Sequence, residues 1–350
     1  ADSDSFFALE SHPQILQGVL SNDSDPDDDR ISLFDFTLPA NGIVERVGET
    51  DFRYTSNIGF SGTDSFSYRI TDGENFSEPA FVTIVVSPLD GFRWINPEGG
   101  NWSEASNWSQ GVVPGTEDNA MIDLSGDYLV ELDSDASVAR LIVGGGEGQQ
   151  TVLLKSRTLT IQVLASMGEN ASFQMTGGTL NGDGNVVVDG ELLWSGGTLR
   201  GSGETRVNSG GTLILEGRRK ELQRRLVTAG QCEWSSGNIR FSNGTFVNAV
   251  GGEMDVTLSG NLEWNGGENR FINEGVIRKV GEGQLEANAS VGFDNRGEID
   301  VQLGSLVLSG GGTSSGEYLL NEADNARLRQ EESNRREQRA RTAIRARDCE

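Results

Sequence analysis

One stretch near the amino end has the residue types and spacing of a cation loop. In Asn22-Asp23-Ser24-Asp25-Pro26-Asp27-Asp28-Asp29, aspartates fill every second position from Asp23 to Asp29, and Asp28 adds one more. Five carboxylates in seven residues repel one another unless open water or a cation compensates. Hard divalent cations take about six to eight oxygens, and short Asp-rich loops supply them at little backbone cost. Asn22, Ser24 and Pro26 are turn formers, so the run is a loop and not a strand. Two readings follow: a calcium loop with Asp23, Asp25, Asp27 and Asp29 as ligands, or a solvated acidic turn on a protein acidic throughout. The Gly and terminal Glu of the EF-hand pattern are absent.

The flanking residues must hold that loop, and they alternate. Phe66, Tyr68 and Ile70 interleave with Ser65, Ser67 and Arg69, the period of a half-buried strand. Phe81, Thr83 and Val85 interleave with Val82, Ile84 and Val86 in a nearly continuous apolar run suited to a final sandwich strand. Asn41-Gly42 and Asp72-Gly73 are hairpin-type turn dipeptides. Short strands with frequent turns over residues 1–89 predict one β-sandwich.

The order of these segments resembles the cadherin-like, immunoglobulin-like tandem repeat of large bacterial surface proteins. The residues carrying the resemblance are Gly18 to Asp27, Pro39 to Val44, Phe52 to Thr55, Gly59 to Gly73 and Ala80 to Val86. They span about a quarter of the chain. The resemblance implies calcium bound by the Asp run, with Asp4 and Glu10 closing the site from the first strand, and with Asp64 and Asp72 as weaker candidates. It also implies that calcium stiffens the sandwich and its junction. Members of that family read Asp-Pro-Asp-Gly-Asp where this chain has Asp25-Pro26-Asp27-Asp28-Asp29, and losing the Gly adds charge and constrains the loop.

Charge narrows the partners. The chain carries 53 acidic and 28 basic residues, a net charge of −25. That argues against nucleic acid as the main partner, since phosphate binding needs basic surface. It favours solubility and cation binding. No apolar run reaches the length of a membrane span, and no leader sequence is visible, so the expectation is an extracellular or cell-surface segment of something longer. Cys232 and Cys349 make no disulfide framework and are both expected reduced. The sequons at Asn101, Asn107 and Asn243 carry little meaning if the source is bacterial, as the resemblance implies.

Trp94, Trp102 and Trp108 cluster in residues 90–129, and Asn-Trp-Ser recurs there six residues apart. Trp102 and Trp108 read either as a sugar-stacking face or as a hydrophobic plug closing a stack of strands. Position favours the plug, because the block precedes a repeat array and arrays need capped ends. The block also resembles the start of autotransporter-like β-helix repeats in bacterial surface proteins.

Residues 130–320 form a degenerate repeat. Met175-Thr-Gly-Gly-Thr-Leu is echoed from Trp194, Trp234 and Trp264, and Phe-x-Asn recurs at Phe246, Phe271 and Phe293. Periods near 20 to 25 with short apolar strands and Gly-rich corners predict a β-solenoid, or parallel β-helix. Asn248, Asn273 and Asn295 would stack as an amide ladder. Val186, Val188, Leu192, Trp194, Leu213, Leu215, Val301, Leu303 and Leu306 are expected inward. About eight coils would give a rod of roughly 40 Å. A break in spacing from Glu216 to Ala229 predicts an insertion or irregular corner, where Arg218, Arg219, Lys220, Arg224 and Arg225 form a solvated basic loop or an anion contact.

Residues 321–350 turn Arg- and Glu-rich and predict a short polar helical or disordered tail. Catalysis is not expected. The single His12 cannot build a zinc site or a Ser-His-Asp triad, and Gly144-Gly145-Gly146 lacks the Lys-Ser/Thr of a phosphate loop. The chain is therefore expected to be all-β and non-enzymatic, a calcium-stabilised adhesion or stalk segment whose partners are calcium, neighbouring repeats or a surface polysaccharide. The alternative is a carbohydrate-binding or polysaccharide-cleaving surface protein.

Overall fold

The computed structural model describes residues 1–320 apart from 11, 12, 28, 58, 59, 89, 146 and 310. The expected tail, Cys349 and the Asp28 position of the acidic run lie outside the described residues. The described chain is all-β and divides into two compact units, Ala1–Gly91 and the residues from Phe92 onward.

The first unit is an Ig-like sandwich. Its strands are β1 (Asp4–Leu9), β2 (Gln14–Leu16), β3 (Ser32–Phe36), β4 (Gly42–Val47), β5 (Asp51–Ser56), β6 (Gly62–Thr71) and β7 (Ala80–Ser87). One sheet runs β1-β7-β6-β3 and the other β2-β5-β4. β1 pairs parallel to β7, from Asp4 opposite Val82 to Leu9 opposite Ser87. The alternation read from the sequence holds: Phe66, Tyr68 and Ile70 are buried, as are Val82, Ile84 and Val86. Phe52 fills the centre, its ring 5.1 Å from those of Phe36 and Phe66. Asp72-Gly73 turns between the antiparallel pair β6 and β7. Asn41-Gly42 does not close a hairpin, because β3 and β4 belong to different sheets.

The second unit is a β-solenoid of about ten turns from residue 119 onward, longer than the eight coils expected. Parallel in-register pairing stacks equivalent side chains into columns. One inward column is Val130, Val152, Phe173, Leu192, Leu213, Cys232, Met254, Ile277 and Ile299. Another ends in Phe246, Phe271 and Phe293, successive rings 5.0 Å apart. The amide ladder forms as expected. Asn248 Nδ2 donates to Asn273 Oδ1, and Asn273 Nδ2 to Asn295 Oδ1, both at 2.8 Å. Where the chain turns, backbone crowds backbone. Gly182 and Gly201 hold φ of 109° and 101°, and a Cβ there would lie 2.0 Å and 2.1 Å from the Ile161 and Gly182 carbonyl oxygens.

Three expectations for this unit are corrected. The segment from Glu216 to Ala229 holds no inserted loop, because Lys220–Thr228 is a full strand of the stack, although the irregular corner expected there is present, the pairing shifting register at Arg224. Lys220, Leu222, Arg224, Leu226 and Thr228 point inward and are buried. The Lys220 ammonium donates to the Arg218 and Ser236 carbonyls at 3.1 Å each, and burial pushes it down to about 8. Arg218 and Arg219 are exposed, and Arg225 pairs with Glu204 at 2.8 Å. Leu303 is 51% exposed, because it lies in the turn after Glu298–Val301. The four-membered echo also divides. Met175, Trp194 and Trp234 share a column with Leu215 between the last two, whereas Trp264 follows Leu222 and Phe241 on another side of the coil.

Candidate functional site

The Tyr68 hydroxyl gathers oxygens. It lies 3.0 Å from the Asp2 carbonyl, 3.1 Å from the Val19 carbonyl, 3.2 Å from Asp4 Oδ2, and 3.1 and 3.0 Å from the two Asp23 carboxylate oxygens. β6 buries Tyr68 on its inward side, β1 brings in Asp4, and the loop after β2 brings in Val19 and Asp23. One phenolic proton serves five acceptor atoms, so most of these lone pairs face no donor on Tyr68. Asn22 Nδ2 donates to Asp4 Oδ1 at 3.1 Å, and the Asp2 N–H donates to Asp23 Oδ1 at 2.7 Å. Burial, with the Asp23 charge adding to it, pushes the Asp4 carboxyl up to about 6. Burial and the neighbouring carboxylates push the Tyr68 phenol upward.

Two of the eight candidate metal ligands, Asp4 and Asp23, therefore come together. The other six do not join them. Asp25 turns back on its own loop, accepting the N–H of Asp27 at 2.8 Å and of Asp29 at 3.4 Å, while Asp27 and Asp29 are exposed. Asp72 caps the β6–β7 turn by accepting the N–H groups of Glu74 and Asn75 at 2.7 and 2.6 Å, and these bonds hold its carboxyl below the ordinary range. Glu10 follows the far end of β1 from Asp4, so about 20 Å of strand separates them. Asp64 is buried and structural, accepting from the Tyr54 hydroxyl at 2.8 Å and the Asn41 N–H at 3.0 Å.

Among the described residues no group of three or more His, Cys, Asp or Glu is arranged to hold a metal ion. The oxygen set at Tyr68 still fits a hard cation in kind, since it combines two carboxylates with two main-chain carbonyls. In number it falls short of a full calcium shell, which water would have to complete. Sequence reasoning missed Tyr68, which reads as one more core residue of an alternating strand.

Trp102 and Trp108 are each 1% exposed. Trp108 packs edge-on against Trp94 and Trp102, with centroids 5.2 and 4.7 Å away. Its Nε1 donates to the Trp102 carbonyl at 2.9 Å. Residues 92–93 and 100–101 pair with the first full coil. The block is thus the plug, and neither ring offers a face on which a sugar can stack.

Fold and site together define an Ig-like module and a capped β-solenoid in one chain. Residues 1–85 match the bacterial Ig domain family. No curated protein matches the chain. No helix of the described residues is long and apolar enough to cross a membrane.

Proposed function

We propose that this chain is a structural segment of a bacterial surface protein, in which the solenoid is an adhesive stalk or spacer without a catalytic centre and is displayed outside the cell. The observation that carries the reading is the continuous parallel stack, in which every coil pairs with the next and register shifts are confined to corners near Val138, Thr176 and Arg200. Its recurring residues are spent on corners, ladders and core, and about ten turns at ~4.8 Å make a stiff rod of roughly 50 Å. A spacer acts through its length. Replacing the solenoid with an unrelated rod of equal length should preserve surface display and attachment of the source cells, and a flexible linker should not. Release of reducing or unsaturated ends from acidic polysaccharides, abolished by one carboxylate substitution, would overturn the reading.

A second reading is favoured by the oxygen surplus at Tyr68. Calcium is held there by Asp4 and Asp23 with the Asp2 and Val19 carbonyls, and not by the Asp25-to-Asp29 run. A ligand that binds only the folded state raises its melting temperature. Calcium should therefore raise the transition of the Ig-like unit in the full chain. Asp23→Asn should abolish the rise and Asp27→Asn should leave it. An unchanged melting curve at millimolar calcium sinks the assignment.

A further inference from the structure

The six tryptophans divide five to one. Trp94, Trp102, Trp108, Trp194 and Trp234 are at most 1% exposed, and Trp264 is 50% exposed. Its exposure has a structural cause. Trp264 occupies an inward column and pairs with Phe241 on one side. On the other side the strand Gln284–Ala287 pairs Ala287 with Leu262 and then stops, so Ala289, next in register, lies in a turn. No strand covers the indole there. Its Nε1 donates to the Gly267 carbonyl at 3.3 Å, which lays the ring along the corner of residues 265–269.

Polar groups border that corner. A Cβ on Gly267 would lie 1.8 Å from Asn243 Oδ1, so the Asn243 amide rests against the same turn. Asn243 holds φ of 60°, the one non-glycine residue with positive φ among the described residues. Residues held in sparsely populated backbone regions concentrate at ligand sites. Glu268, beside Gly267, is exposed, as is Asn243.

We propose that Trp264, Asn243 and Glu268 form a contact site for an uncharged saccharide, with a pyranose ring lying on the indole. The face of an aromatic ring is electron-rich, and the C–H face of a pyranose is apolar and faintly positive, so the two attract. The Asn243 amide both donates and accepts, and the Glu268 carboxylate accepts, which suits the hydroxyls at the sugar's rim. One apolar platform with a few placed polar groups is the usual composition of a small-ligand site. The charge selects against acidic glycans, because Glu268 is exposed next to Gly267, whose carbonyl accepts from the indole, on a chain of net charge −25. The site is independent of calcium and of the spacer role.

Burial of the other five tryptophans makes the test clean, since an added sugar can reach only one indole. Soluble neutral glycans (a β-glucan, a mannan, chitin oligosaccharides) are titrated into the full chain while its tryptophan emission is read, with alginate as the acidic arm. At least one neutral glycan should give a saturable emission change in the parent chain, and isothermal titration calorimetry, which needs no indole, should show that Trp264→Ala abolishes binding or weakens it about tenfold or more and that Trp264→Tyr partly restores it. Asn243→Gly keeps the positive φ and removes the amide, so it should weaken binding without lowering the melting temperature. The proposal is overturned by no saturable response to any neutral glycan, by equal binding in Trp264→Ala, or by preference for alginate. It is also overturned if Trp264 is shielded from a soluble quencher by self-association without sugar, which would make the surface a protein contact.

Discussion

Arg224 Nη2 donates to the Gly184 carbonyl at 2.9 Å across forty residues of sequence, reaching two coils back through the stack. The same guanidinium donates from Nε to the Gly203 carbonyl at 2.6 Å and from Nη1 to the Arg200 carbonyl at 3.3 Å. Three residues, Gly201 to Gly203, separate Arg200 from Glu204, whereas Arg224 alone separates Gln223 from Arg225. The side chain fills the space that the shorter corner leaves. Arg224→Ala would strip three carbonyls of their donor and should cost about 3–5 kcal/mol. Arg224→Lys should recover only part, because an ammonium lacks the planar fork. Urea denaturation of the full chain measures both.

The other buried cation of this strand behaves differently. Lys220 titrates near 8 when folded and at 10.5 in its ordinary state. The unfolded chain therefore binds the proton more tightly, so stability should rise as pH climbs from about 8 toward 10.5. Lys220→Met has similar length and no charge to desolvate, so it should be near neutral at pH 7 and should remove that rise. Denaturation midpoints at three or four pH values decide it. A pH dependence equal to that of the parent chain speaks against Lys220 as its source.

Asp4 works in the opposite sense. Its carboxyl binds a proton more tightly folded, at about 6, than at its ordinary 3.8. Its contribution to stability is present below 3.8 and is lost as pH rises through 6. A carbon-detected titration of the carboxyls should show Asp4 with a midpoint near 6, and a bound cation should pull that midpoint down. A midpoint near 4 without metal means the pocket is wetter than its geometry implies.

The amide ladder should fail from its middle. Asn273 also donates to the Glu298 carbonyl at 3.0 Å, so Asn273→Ala takes a donor from that carbonyl and from Asn295 Oδ1 and takes from Asn248 Nδ2 the closest of its three acceptors, the others being the Gly252 and Val276 carbonyls. A loss of about 2–3 kcal/mol is expected, from buried groups left unpaired. Asn295 has one ladder neighbour among the asparagines, so Asn295→Ala should cost less. Equal losses at the two positions would mean that the amides are not coupled through the stack.

Glycines give a paired test. Gly182→Ala places a Cβ against the Ile161 carbonyl at positive φ, and the backbone strain alone should cost about 1–3 kcal/mol. Gly210 meets nothing within 4 Å, so Gly210→Ala should be neutral or stabilise by about 0.4–1 kcal/mol through the unfolded chain. Thermal melts of the two variants separate the effects.

Much of the architecture was written locally. The alternation at Phe66-to-Ile70 named its strand, and the recurring Phe-x-Asn named both an aromatic column and the ladder, because stacked coils demand like residues at like positions. Charge hid the Lys220–Thr228 strand. Three basic side chains there, Lys220, Arg224 and Arg225, read as solvated, although Leu222 and Leu226 already marked an inward row. The Trp264 echo misled for another reason. Successive corners of one coil share the same Gly-rich turn chemistry, so a motif repeated in sequence need not repeat in space. The oxygens at Tyr68 were legible only in part. The Asp run announced itself, but which of its members meets Asp4 depends on long-range pairing of β1 with β7 and of β7 with β6.

The parallel pairing of β1 with β7 also decides how the Ig-like unit bears tension. These are its first and last strands, and they lie side by side over six paired positions. Pulling the unit by its two ends draws the strands lengthwise past each other, so all the hydrogen bonds between them are loaded at once. In the solenoid the strands run across the stack, and a pull along its axis would open the bonds one coil at a time. A chain under traction thus contains one element that resists until it breaks as a whole and another that peels, and the peeling element can lengthen while the Ig-like unit stays folded.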